Sequence, residues 1–261
     1  MKNIWKKCVV ASLVLSSLLV GCSSKKSEDQ LAAIKEKGKL VVGTEGTYSP
    51  NSYHDGSGNL VGFDVDVARA IGKHLGVEVE FYEAKWDSLF AAMDSGRVDT
   101  VINEVEYNED RAKKYDFSDP YCYIHGALLV PEGSDITSFD QVSGKKCAQN
   151  ATSSWGKMAE SLGAELVPVD SMSQTIDLLT SGRADATLNA ETAFSDYLRN
   201  HPDQSVKIAA LTDTTSSSLV PVKKGQEELV KAINEALQEM KDSGELAEIS
   251  NQYFGMDVSK E

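Results

Sequence analysis

Four cysteines, four histidines and six prolines in 261 residues leave several chemistries without a foothold. Cys8 and Cys22 belong to a leading apolar run and its end, so only Cys122 and Cys147 remain for the rest of the chain, too few for a disulfide framework. One bridge between them and two separate buried thiols both stay open. There is no paired CxxC and no HExxH, and His54, His74, His125 and His201 are scattered, so neither a metal site nor a cofactor is expected. Positive charge is also scarce: 26 Lys and Arg face 40 Asp and Glu, for a net charge of −14. That balance argues against nucleic acid and against binding to anionic lipid by charge. The charge-free run Cys8 to Val20 is too short to cross a bilayer as a helix.

What stands at the start is an export signal: Lys2, Lys6 and Lys7 and then the apolar run, together residues 1–21. The run ends in "LLVGC" before "SSKKSEDQ", which resembles the lipobox of bacterial lipoproteins. The resemblance implies cleavage before Cys22, lipidation of its thiol by fatty acids such as palmitate, and a place on the extracytoplasmic face of the cell membrane. Taking three lysines from −14 leaves −17 on the mature chain, so the membrane tether must come from lipid. Residues 22–37, polar and without aromatics, read as a flexible stalk with a helix from Asp29, and the globular part as starting near Gly38.

An internal repeat organises the remainder. "IGKHLGVEVEFYEAKWDSLFAAMDSGRVDTVIN", residues 71–103, matches "MAESLGAELVPVDSMSQTIDLLTSGRADATLN", residues 158–189, with "LG", "SGR", the following Asp and the closing Asn in step. Each copy reads helix, strand, helix, strand. The first helix stops at Gly76 or Gly163, a short β run follows at Val77 to Phe81 or Glu165 to Val169, and an amphipathic helix carries Leu89, Phe90 and Met93, or Ile176, Leu178 and Leu179. The pattern predicts an α/β fold of two Rossmann-like lobes, with ligand at the carboxyl ends of parallel strands, marked by Asn103 and Asn189. "VKIAAL" and "SSLVPVKKG" read as further strands, and Leu229, Ile233, Leu237 and Met240 as one face of a late helix. Crossings near 121–123 and 212–216 make a two-strand hinge: lobe 1 spans 38–121 and 215–256, lobe 2 spans 122–214, and 257–261 is a tail.

The segments "VGTEGTYSP", "GFDVDVARAIGKHLG", "WDSLFAAMDSGRVD", "FSDPY", "SGRADATLN" and "QYFG" resemble the extracytoplasmic solute-binding proteins of family 3, which deliver polar amino acids to ABC importers. "TEGTY", "LVPVD" and "ADATLN" with "DYL" are more similar to the cystine-binding members. The resemblance implies a periplasmic binding protein of type II, acting as a monomer with a membrane permease as partner and an amino acid, L-cystine above others, as ligand. It implies that Tyr48 and Trp86 sandwich the ligand side chain, that Arg111 grips the α-carboxylate, and that Thr152 and Ser153 add donors from lobe 2. The last two also read as the N-cap of a helix, where free N–H groups favour an anion. The family's usual Phe after "SP" is here Asn51, which softens one wall of the pocket.

Most relatives hold the α-amino group with an Asp after the strand of the second repeat, and this chain has Ala190 there. A buried ammonium needs an anion. Glu106, and after it Glu104, is expected to supply it, with Glu191 as the rival from lobe 2, although a continuing strand would point Glu191 away. The sequence shows no nucleophile with a base, so an enzyme is not expected; a dehydratase on the same fold and a receptor subunit for a sensor are the competing readings.

Overall fold

The structure is a computed structural model and describes residues 29–261; the signal segment, Cys22 and the first part of the stalk lie outside the described residues. The chain begins with α1 (Gln30–Lys37), capped by Asp29, and continues through β1 (Lys39–Thr44), β2 (Thr47–Tyr48), β3 (Ser52–His54) and β4 (Leu60–Val61). Next come α2 (Phe63–Leu75), β5 (Glu78–Glu83), α3 (Trp86–Asp94), β6 (Thr100–Val101), α4 (Glu109–Ala112) and β7 (Tyr115–Phe117). The second repeat is entered through the long β8 (Cys122–Pro131), then β9 (Lys146–Gln149), α5 (Ser154–Ser161), β10 (Glu165–Pro168), α6 (Met172–Thr180), β11 (Thr187–Ala190) and α7 (Glu191–Asn200). The chain returns by β12 (Val206–Ser218) and closes with β13 (Pro221–Lys223), α8 (Glu227–Ser243) and α9 (Glu245–Phe254).

Lobe 1 is built on a five-stranded sheet in the order β5-β1-β6-β13-β7, parallel at β5-β1-β6 and antiparallel where β13 enters. The helix stop read from the sequence is present: Gly76 sits in the left-handed region at φ 73° and its N–H caps the carbonyls of Gly72 and Lys73. Leu40 and Val42 of β1 pack with Phe63, Val67 and Ile71 of α2 and with Ile233, Leu237 and Met240 of α8 in the largest apolar cluster. Burying each such side chain contributes about 1.5–3 kcal/mol. Lobe 2 combines the parallel pair β9-β10 with the antiparallel trio β11-β8-β12. A bridge between Cys147 and Ala186 links the two pieces.

Three features depart from the sequence reading. The globular part starts before Gly38, because Ile34 of α1 is fully buried against the α2–α8 core and the Gln30 N–H donates to the Gln226 side chain. The two late strands divide elsewhere than expected: β12 runs on past Leu211 through the 212–216 crossing to Ser218, pairing Thr215 with His125 and Ser218 with Cys122, and the second strand is confined to β13. The tail is seated: Val258 is buried in the lobe 1 core and its carbonyl accepts from the Tyr123 N–H. Cys122 and Cys147 are both free and buried, in separate apolar clusters.

Candidate functional site

Both lobes present the carboxyl ends of their strands to one crevice, where an open α/β sheet receives a ligand. The crevice holds about 870 Å³ of space, part of it open to solvent. Lobe 1 lines it with Glu45, Tyr48, Trp86, Asn103, Glu104 and Glu106; lobe 2 with Gln149, Ser153, Ser154, Trp155, Asp170 and Asn189, among others. The lobes touch across it. The Tyr48 hydroxyl donates to Asn189 Oδ1 at 2.8 Å, Ser49 Oγ to Asp196 Oδ2 at 2.7 Å, and Lys85 and Lys157 pair with Asp170 and Asp110 at 2.8 and 3.0 Å.

Arg111 sits just behind the lining, on α4, which Asn108 caps by accepting the Arg111 N–H. Its guanidinium lies over two aromatic faces, 5.1 Å from the ring centre of Trp86 and 5.2 Å from that of Phe90, and is 9 % exposed. Cation–π contact on both rings fixes its plane. One strong bond, Nη1 to the Glu106 carbonyl at 2.8 Å, anchors it; the bonds to Ser154 Oγ at 3.3 Å and to the Thr152 carbonyl at 3.4 Å are long. A carboxylate in the crevice can replace those two weak acceptors with charge-assisted bonds.

Of the residues expected from lobe 2, Ser153 is the true N-cap of α5: its Oγ accepts the Gly156 N–H at 2.9 Å and donates to the Asn150 carbonyl at 2.7 Å. Ser154, one residue on, meets Arg111 instead. Thr152 is exposed, bonded through its hydroxyl to Asp87 and Asn150, and is absent from the crevice lining. Glu191 is turned away as well. The chain enters α7 at this residue, and Glu191 lies with Thr192, Ser195, Arg199, Phe254 and Met256 in a separate surface depression.

The two acids of "VINEVEY" are separated by backbone geometry. Glu104 is the one residue other than glycine with positive φ, 52°, among the described residues, and this turns its side chain inward. Its Oε2 lies 2.5 Å from the Tyr48 oxygen, to which the carboxyl donates when protonated while Tyr48 gives its single proton to Asn189, and 3.2 Å from Asn51 Nδ2; its Oε1 is buried without a partner. Burial, and next the nearby Asp64 carboxyl, push Glu104 up to about 8. Burial likewise pushes Asp64 up to about 7, against the pull of the Tyr121 hydroxyl at 2.8 Å. Glu106 lines the crevice beside Arg111 and uses its backbone to hold it. Asn51 proves to be no pocket wall: it is wholly buried and serves Glu104.

Asn103 and Asn189 line the crevice at the strand ends they were read to mark, whereas Trp155, Gln149 and Asp170 were not anticipated. Trp155 had a readable signal, as a large aromatic residue on the first turn of a helix that follows "NATS". Asp170 had only its position just past a strand end. Among the described residues no group of three or more His, Cys, Asp or Glu is placed to hold a metal ion, and no helix is long and apolar enough to cross a membrane.

Comparison with known proteins agrees with this architecture. The L-cystine-binding protein TcyA of Bacillus subtilis is 43 % identical over 237 residues, 90 % of this chain and 88 % of that protein. The L-cystine solute receptor of Neisseria gonorrhoeae, in its unliganded open conformation, is 42 % identical over 90 % of this chain and all of that one, with a TM-score of 0.62. An ancestral arginine-binding protein bound to arginine is 38 % identical over 84 % of this chain and 99 % of that one, with a TM-score of 0.78. The repeat, the two lobes and the crevice therefore sit in a known lineage: residues 40–256 match the bacterial extracellular solute-binding proteins, family 3, and the chain belongs to that family.

Proposed function

We propose that the chain is the amino-acid receptor of an ABC importer, lipidated at Cys22, working as a monomer outside the cytoplasm and taking L-cystine. The observation that carries this is Arg111, stacked on two aromatic rings with two slack acceptors, at a crevice built from the strand ends of both lobes. Tyr48 and Trp86 flank the ligand side chain, and donors at the start of α5 complete the grip on the carboxylate. Lobe 1, with α1 and the seated tail packed on it, closes over lobe 2, and the closed form is what a permease recognises.

Closure is supported by the comparisons: the chain superposes better on the arginine-bound ancestral protein than on the open cystine receptor, although it is more similar in sequence to the latter. Cystine is supported by relatives named as L-cystine-binding proteins. No chemistry is required, only exclusion of water around charge-assisted bonds.

The test is a thermal-shift panel of amino acids on the protein without residues 1–22, which retains every described contact. A ligand at a hundred times its dissociation constant adds about 2.7 kcal/mol to stability. L-Cystine should give the largest shift and be recovered unaltered by mass spectrometry. Its return as another compound would place the protein among enzymes, and a response to arginine alone would replace the ligand while keeping the receptor. Cys22→Ser should leave the protein without lipid and free of the membrane.

A further inference from the structure

The crevice has a cation for one end of an amino acid and, at first sight, too many acids for the other. Most of the acids on its lining are already engaged. Glu45 accepts from Asn103 Nδ2 at 2.8 Å, and Asp170 is paired with Lys85 at 2.8 Å. Glu106 stands beside the Arg111 guanidinium and has a cation for company. Glu104 is different. Its Oε1 is enclosed, faces no donor, and belongs to a side chain on the crevice lining. Its Oε2 is held from two sides by Tyr48 and Asn51, which fix the carboxyl plane. Its backbone is in the left-handed region that a side chain other than glycine adopts only under strain, which marks a positioned group.

Among the described residues, those that surround Glu104 include no cation. Asp64 faces it from α2, Tyr48 from β2, Tyr121 and Cys122 from the start of β8, and Glu106 from its own loop. Glu45 reaches the same neighbourhood through Tyr48, and Arg111 is engaged elsewhere. A carboxylate in such a place is unfavourable unless a positive charge arrives with the ligand.

We propose that Glu104 receives the ligand's α-ammonium, and that binding expels the proton this carboxyl carries in the empty crevice. The inference rests on the amino-acid receptor reading above and names the group that makes it pH-sensitive. The balance is simple: the neutral carboxyl and the ammonium ligand become a carboxylate–ammonium pair, and one proton leaves to solvent. The raised proton affinity of Glu104 agrees with this direction. Asn51 and Glu104 then form one device, a buried amide orienting a half-buried acid in lobe 1, which supplies the anion that Ala190 lacks in lobe 2.

The experiment is calorimetric titration of the full chain in detergent with L-cystine, in two buffers of different ionisation enthalpy and across about pH 5.5 to 7.5. The buffer difference reads protons released. Expected are close to one proton released per ligand near neutrality and an affinity falling about tenfold per pH unit as the solution is acidified. Glu104→Gln should bind weakly with no release and a flat profile, while Glu106→Gln keeps the slope. Binding by the wild-type protein without proton release overturns the inference and leaves the receptor reading intact, and that outcome is read on the wild type without any variant having to fold. A slope that survives in Glu104→Gln and disappears in Glu106→Gln overturns it in favour of Glu106. If no amino acid in the panel binds at any pH, the receptor reading itself fails and takes the inference with it.

Discussion

Replacing Glu104 with glutamine should make the ligand-free protein more stable, and the gain should depend on pH. In the unfolded chain Glu104 ionises near its ordinary 4.5, whereas in the fold burial and the Asp64 carboxyl hold it neutral up to about 8. Because the folded-state value is raised, the folded protein keeps a proton that the unfolded chain has lost. Stability is therefore full below pH 4.5 and is lost as pH rises through the window up to about 8. Each unit in that window is worth about 1.4 kcal/mol, so the three units from about pH 5 to pH 8 amount to something on the order of 4 kcal/mol. Glutamine can keep accepting from Asn51 through its amide oxygen and has no charge to bury. Urea unfolding of the wild type and Glu104→Gln at the two pH values, both without residues 1–22 and without ligand, measures it. The variant should match the wild type near pH 5 and exceed it by a few kcal/mol near pH 8. The same difference at both values would show that the carboxyl ionises freely in the fold and would refute the argument.

Three other outcomes follow from the structure. Gly156→Ala should lower stability by about 1–3 kcal/mol and weaken ligand binding, since a Cβ there would lie 2.1 Å from the Asn150 carbonyl oxygen and push the loop that carries Ser153; urea unfolding and titration with L-cystine check both. His74 bonds Glu245 and Glu239 at 3.0 and 2.8 Å, which raises its pKa and ties α2 to α8 and α9. Its contribution is present below about pH 6.5 and lost as pH rises through the raised value, and His74→Gln should abolish that dependence in the same unfolding assay. Cys122 and Cys147, buried and with raised thiol pKa values, should resist alkylation in the native state and both react in denaturant without reductant; a failure to react there would mean that they are bridged.

The repeat was legible because its signals are local: a helix stopped by Gly76, the "SGR" turns, and apolar spacing that puts Leu89, Met93, Ile176 and Leu179 in the cores. What escaped was non-local. "TDTTSS" has no strand pattern of its own; it was read as a crossing by its place between the lobes, and its pairing from Thr215 on comes from β8 lying beside it. Ile34 anchors α1 only because α8, almost two hundred residues later, leaves room for it. At the site, the order of Glu106 before Glu104 had no geometric footing in the sequence, because the left-handed turn at Glu104 is not written in its neighbours. Glu191 is turned away as expected, but by the start of α7 and not by a continuing strand. Arg111 stands beside the crevice, but its aromatic bed was not foreseen: Trp86, expected against the ligand side chain, and Phe90, read only as an apolar helix position, both lie under its guanidinium.

The position of β13 has a consequence for the order in which the molecule can assemble. This strand, residues 221–223, lies between β6 and β7 in the lobe 1 sheet, so that sheet stays split in two until nearly the whole chain has been made. Lobe 2 has no such dependence, since the strands of its trio all lie within residues 122–218. The earlier-synthesised lobe is thus the later to finish, and the chain carries, in its own topology, a delay on folding until its last segment, α8 and α9 included, has arrived.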